Sequence, residues 1–104
     1  MSDWIDVGEA AAIAPGSYDV VEFDDTWVAV FNVEGEYLAI EDVCTHDGAE
    51  LTGGEVRGCV IECPRHGACF DLRTGEAMTP PAYEATRTYP VKVDDGRIFL
   101  KESE

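Results

Sequence analysis

The sequence predicts an all-β chain, and three observations carry that prediction. Short runs rich in Val, Ile, Phe, Tyr and Trp recur along it, Gly and Asp punctuate them, and helical periodicity is nearly absent. The one helical candidate is the Ala-rich stretch Glu9 to Ala14, which Pro15-Gly16 ends. The first two strand candidates are Tyr18 to Phe23 and Trp27 to Val33, the latter the longest nearly apolar run, broken only by Asn32. After them come Tyr37 to Glu41, Val60 to Glu62, Phe70 to Leu72, Thr88 to Val93 and Arg97 to Lys101. Asp24-Asp25, Glu34-Gly35 and Asp95-Gly96 fit hairpin connections. Asp95-Gly96 does so most clearly, because Asp-Gly suits the positive-φ positions of a type I′ turn.

A chain of 104 residues has room for one core, so 1–104 is expected to form a single domain. The longest apolar run falls far short of the roughly 20 residues that a membrane-spanning helix needs. The opening Met1-Ser2-Asp3-Trp4 lacks the basic-then-apolar layout of a signal peptide, which makes the cytoplasm the expected compartment. Twenty-two acidic residues against seven basic ones give a formal charge of -15. Such a field repels nucleic-acid backbones and anionic lipid, and excludes both as expected partners. It suits a well-solvated surface, and also long-range steering toward a basic patch on a partner protein. Adaptation to high salt is a further reading, suggested by a lysine count limited to Lys92 and Lys101.

Residues Asp42 to Pro81 differ in character from the rest: they hold all four cysteines, both histidines, three of the five prolines and six of the ten glycines. Without a secretory context, two disulfides are a poor reading of the cysteines, and metal ligation is the better one. The pattern is Cys44-x-His46, then 16 residues, then Cys63-x-x-His66. Two thiolates and two imidazoles satisfy either tetrahedral zinc or a two-iron cluster in which two histidines serve one iron. Structural zinc sites usually pair like ligands within a knuckle. Here each short motif gives one sulfur and one nitrogen, which suits a cluster whose two irons are both spanned by each loop.

Cys44-Thr45-His46-Asp47-Gly48 and Cys63-Pro64-Arg65-His66-Gly67-Ala68-Cys69-Phe70-Asp71-Leu72-Arg73-Thr74-Gly75 resemble the two cluster-binding loops of Rieske ferredoxins. Trp4-Ile5-Asp6-Val7-Gly8, Pro80-Pro81 in a third loop and Tyr89-Pro90-Val91-Lys92-Val93 extend the likeness over most of the chain. The resemblance implies a Rieske fold of stacked antiparallel sheets, with a [2Fe–2S] cluster held at one tip by loops at about 43–49 and 63–69. It implies that Cys44 and Cys63 bind the inner iron, and His46 and His66 the outer iron that takes the electron. With neutral imidazoles the oxidised centre is neutral, so reduction adds a negative charge to an already acidic protein.

Departures from respiratory Rieske proteins concern the tuning of the cluster. Where those proteins carry a disulfide beside the cluster, Ala49 and Arg65 stand here, and where they carry a serine and a tyrosine after the second histidine, this chain has Ala68 and Phe70. Fewer hydrogen-bond donors around sulfur predict a potential toward the low end of the range of roughly −150 to +300 mV. Cys59 and Cys69 are expected as small buried hydrophobes on the strands entering and leaving the second loop. Pro64 and Gly67 are expected to shape that loop.

An oxygenase would need a second iron held by two histidines and a carboxylate, but both histidines are already used, and no Gly-x-Gly-x-x-Gly nucleotide fingerprint is present. The resemblance therefore implies a carrier and not an enzyme: a monomer that takes one electron from an NAD(P)H-dependent flavoprotein ferredoxin reductase and delivers it to a terminal aromatic-ring-hydroxylating oxygenase. The alternatives are a small Rieske-like subunit of an assimilatory nitrite reductase, a structural zinc module, and an accessory to cluster assembly.

Overall fold

The computed structural model describes residues 4–23, 25–43, 51–64, 67–79 and 84–101. Among them are the strands β1 (Ile5–Glu9), β2 (Tyr18–Phe23), β3 (Thr26–Val33), β4 (Glu36–Glu41), β5 (Val56–Arg57), β6 (Val60–Glu62), β7 (Cys69–Asp71), β8 (Thr88–Tyr89), β9 (Val91–Asp94) and β10 (Arg97–Leu100). They form three antiparallel sheets in the orders β2-β3-β4-β8, β1-β10-β9 and β5-β6-β7. The all-β expectation holds, with stacked antiparallel sheets.

The apolar run in β3 explains the stacking. A half-buried strand alternates, but Val28 to Asn32 are all buried, because both faces of the four-stranded sheet are covered. Val28 and Val30 point into a core with Ile13, Phe23, Ala39, Tyr89, Ile98 and Leu100, against the β1-β10-β9 sheet. Ala29 and Phe31 point the other way, into a core with Ile40, Leu51, Ile61, Cys63, Ala68, Phe70 and Leu72, against β5-β6-β7. Asn32 interrupts the run without an energetic penalty. Its amide nitrogen donates to the Ile13 carbonyl at 2.8 Å, and its Oδ1 accepts from Gly35 N–H at 2.7 Å.

That second bond ties down the turn at Glu34 (φ 53) and Gly35 (φ 93), and Asp95 (φ 51) with Gly96 (φ 76) makes the same positive-φ pair. Asp95-Gly96 is the positive-φ turn that its sequence predicts, and Glu34-Gly35, expected as a hairpin connection, has the same two positive φ angles. Asp25 is also at positive φ, 62, while Asp24 lies outside the described residues.

Several expectations need correction. The run Thr88 to Val93 is two strands, because Pro90 has no N–H to extend a ladder, and the chain passes there from pairing with β4 to pairing with β10. The strand expected at Phe70 to Leu72 begins one residue earlier, at Cys69. Glu9 to Ala14 yields only a 3₁₀ turn at Ala10–Ala12: Glu9 belongs to β1 and gives no side-chain cap, and so short a segment cannot offset the cost of helix nucleation. β1 and β5 were not foreseen. β1 pairs with β10 at the far end of the chain through a register slip between Asp6 and Gly8, and β5 is two residues defined only by its neighbour β6. No helix among the described residues is long and apolar enough to cross a membrane.

Candidate metal centre

Of the four expected ligands, Cys63 is among the described residues, while Cys44, His46 and His66 lie outside them, as do Ala49, Arg65, Pro80 and Pro81. Among the described residues no three His, Cys, Asp or Glu side chains converge on a point that could hold a metal. What the structure defines is the frame from which the ligand segments leave and to which they return.

The first segment leaves from the end of β4. Asp42 N–H donates to Trp27 O at 2.9 Å, Glu41 N–H to Arg87 O at 2.7 Å and Val43 N–H to Glu41 O at 2.8 Å, so the departure point is fixed by both neighbouring strands. The chain returns at Leu51, whose side chain is wholly buried in the core beside Cys63. The Asp42 carboxylate joins the two ends. Its Oδ1 accepts from Leu51 N–H (2.8 Å) and Thr52 N–H (2.9 Å), and its Oδ2 accepts from the Thr52 hydroxyl (2.9 Å).

Gly54 then brings this return segment against the strand that leads to Cys63. Its N–H donates to Leu51 O at 3.1 Å, and a Cβ at this position would overlap the Glu62 carbonyl oxygen. On the next residue, Glu55 O accepts from Glu62 N–H at 2.9 Å. The two ligand segments are thus joined one residue before Cys63.

Cys63 itself begins a tight reversal. Its N–H donates to Ala68 O at 2.6 Å, and its carbonyl accepts from Gly67 N–H at 3.1 Å, with Gly67 at φ 77. That positive φ is the reason for glycine here, as expected. Cys63 is free of any disulfide, 1% exposed, and belongs to the core cluster that also holds Ala29, Ile40, Leu51, Ala68 and Phe70. With its N–H and carbonyl engaged in the reversal, Cys63 offers its sulfur as the metal-ligating group. A buried thiol outside any disulfide, at a loop base, is the donor chemistry that an iron–sulfur centre uses.

Ala68 and Phe70 are both completely buried and bring no hydroxyl to this core. Cys69 opens β7, and its thiol lies 3.6 Å from Gly67 O while its N–H donates to the Thr79 hydroxyl oxygen at 3.0 Å. It is half-buried, and so is Cys59, in the turn before β6. Expected as small buried hydrophobes on the two strands, they differ in outcome: Cys69 lies on its strand and Cys59 in the turn before one, and each is half-buried.

The third loop is anchored by the second close glycine approach. Gly75, at φ 77, has no space for a Cβ beside Thr86 O, and Thr86 N–H donates to Gly75 O at 2.8 Å. Met78 N–H to Cys69 O (2.7 Å) continues that segment alongside β7. Asp42, Thr52, Gly54, Gly75 and Thr86 were not singled out from the sequence. A signal existed for Asp42: it lies two residues past inward-facing Ile40, so strand alternation aims its carboxylate into the interior, where an acid needs partners.

Exposed ion pairs flank the frame. Arg57 hydrogen-bonds Glu55 at 2.7 Å and holds its carboxyl below the usual range, while Arg73 reaches Glu36 at 2.6 Å and ties the turn after β7 to the start of β4.

Three stacked antiparallel sheets, with a small one carrying a buried thiol at a glycine-cornered loop, define a cluster-binding β-domain. The chain belongs to the Rieske [2Fe–2S] domain family, whose model matches residues 3–90, and its cofactor is a Rieske-type [2Fe–2S] cluster. Over 99 residues, 95% of each chain, it is 37% identical to the ferredoxin component of the naphthalene 1,2-dioxygenase/salicylate 5-hydroxylase systems of a Ralstonia species. Its structure is similar to the ferredoxin of carbazole 1,9a-dioxygenase from Nocardioides aromaticivorans, with a TM-score of 0.92 at 30% identity over 98% of this chain and 100% of that one. A solved complex of reduced oxygenase and oxidised ferredoxin in carbazole 1,9a-dioxygenase contains a chain that matches with a TM-score of 0.88 at 32% identity, all of both chains being covered.

Proposed function

We propose that this chain is the ferredoxin component of a multicomponent aromatic-ring dioxygenase system, a one-electron carrier and not itself an enzyme. The observation that carries this reading is full-length likeness to stand-alone ferredoxin components, one of them solved in a complex with its oxygenase. The donor is an NAD(P)H-dependent flavoprotein reductase and the acceptor a terminal oxygenase. Neither the zinc module nor the nitrite reductase subunit draws support from any observation.

Cys44 and Cys63 hold one iron in this proposal, and His46 and His66 the other. The bound cluster supplies reversible one-electron chemistry. The chain's own part is to bury Cys63 away from water, fix the departure and return of the first ligand segment, and hold the two segments together at Gly54 and Glu62. A carrier that meets two partners in turn binds each weakly and transiently. We take it as a cytoplasmic monomer and 1–104 as one domain. The strands past the family match support the single domain, since β10 pairs with β1 and closes a sheet begun at the N-terminal side.

The test is purification of the holoprotein with iron, sulfide and spin-resonance analysis, followed by electron transfer to an aromatic-ring oxygenase in the presence of reductase and NAD(P)H. Two irons and two sulfides per chain, with oxygenase turnover that depends on the protein, are expected. A colourless zinc protein, or a loaded one that no such oxygenase accepts, overturns the reading.

A further inference from the structure

The structure assigns to Asp42 a positioning role: its carboxylate is the clasp that joins the two described ends between which the first ligand segment runs, and so sets how firmly Cys44 and His46 are kept on the cluster. The inference rests on the ligand assignment proposed above. Asp42 is 8% exposed, and its three bonds come from Leu51 N–H, Thr52 N–H and the Thr52 hydroxyl, at 2.8 to 2.9 Å. An ionised Asp is an acceptor only, and here one oxygen takes two amides while the other takes the hydroxyl, so both ends of a span carrying two ligands meet on one side chain.

Its own position is fixed independently by Asp42 N–H to Trp27 O at 2.9 Å, which makes β3 the fixed side of the clasp. The far side is equally committed, because Leu51 is wholly buried in the core that holds Cys63, and its N–H has no water to turn to if the carboxylate is removed. No other described side chain bonds these two amides, and β4 itself ends at Glu41. Groups that hydrogen-bond metal ligands typically change metal retention by roughly 10- to 100-fold when removed, and Asp42, which bonds the ends of the ligand segment and not a ligand, is placed at the lower end of that range.

The test is release of the cluster from the holoprotein to an iron chelator, followed by loss of visible absorbance. Asp42→Ala is expected to release at least about 10-fold faster than wild type. Asp42→Asn is expected within about threefold of wild type, since the amide oxygen still accepts both N–H groups and its NH₂ can donate to the Thr52 hydroxyl. Ile98→Ala, in the opposite core, serves as a stability control that loosens the fold without speeding release. Wild-type release by Asp42→Ala, release by Asp42→Asn as fast as by Asp42→Ala, or fast release by Ile98→Ala each overturns the clasp.

Should Asp42→Ala not fold, amide exchange in the wild-type protein decides. Leu51 and Thr52 N–H protected like the strand amides of β4 support the clasp, and exchange at free-amide rates overturns it. Wild-type protein that contains no iron or sulfide defeats the ligand assignment instead, while the exchange measurement still reports on the clasp alone.

Discussion

At the scale of single residues, the frame depends on places where a carbon atom has no room. Gly54→Ala drives a Cβ into the Glu62 carbonyl oxygen, and Gly75→Ala meets Thr86 O while also holding alanine at φ 77. Backbone cannot yield as a side-chain tip does, so each substitution is expected to lower stability by about 2 kcal/mol or more, read from urea unfolding of the holoprotein. Gly54→Ala should also speed cluster loss, since Glu62 precedes Cys63, whereas Gly75→Ala acts further away. Tuning is a residue-scale matter too. Ala68 and Phe70 are fully buried in the core that contains Cys63, yet neither carries a donor. Ala68→Ser introduces a hydroxyl beside the Cys63 loop, and the expected outcome by protein-film voltammetry is a potential above that of wild type, itself expected toward the low end of roughly −150 to +300 mV. A lower potential in the serine variant would show that hydrogen bonding to sulfur is not the controlling effect.

At the scale of elements, legibility in the sequence followed locality. β2, β3, β4, β6 and β10 were legible as dense β-branched and aromatic runs, helped at Glu34-Gly35 and Asp95-Gly96 by turn glycines that accept positive φ. β1 was not, since it carries Asp6, Gly8 and Glu9 and exists through pairing with β10, 88 to 95 positions along the chain. The ligand pattern was legible as spacing, but the clasp at Asp42 and the close approach at Gly54 were not, because each is defined by a partner that only the folded chain brings near. The β1–β10 pairing also has a pH signature. Arg97 grips Asp6 by Nε at 3.0 Å to one oxygen and by its terminal nitrogen at 3.0 Å to the other, and this hydrogen bonding holds the Asp6 carboxyl below its usual range. A depressed carboxylate pKa contributes stability that is present above the unfolded value, near 4, and is lost as pH falls through the folded one. Arg97→Met is therefore expected to lower the melting temperature slightly at pH 7 and progressively less as the pH approaches 3. A difference that stays constant over that range would show that Arg97 acts through packing over β1 and not through charge.

At the scale of the whole molecule, the charge of -15 acts on stability and on association in opposite senses. Like charges spread over so small a surface repel one another in the folded state, and salt screens them, the screening length falling from about 10 Å at 0.1 M to about 3 Å at 1 M. The melting temperature is thus expected to rise with sodium chloride over that interval, and by less in a variant whose exposed acids are partly replaced by glutamine. Encounter with a partner responds the other way. If the acidic surface steers the carrier onto a basic patch of its reductase, the second-order rate of cluster reduction falls as salt is added, because the long-range attraction is lost while the docked contacts are not. Stopped-flow reduction across the same salt series, run on the same preparation as the melts, separates the two effects: a protein that gains thermal stability yet reacts more slowly carries its charge for steering. A rate indifferent to ionic strength would refute steering, and a melting temperature that also stayed flat would show the charge to be solvated without consequence for either.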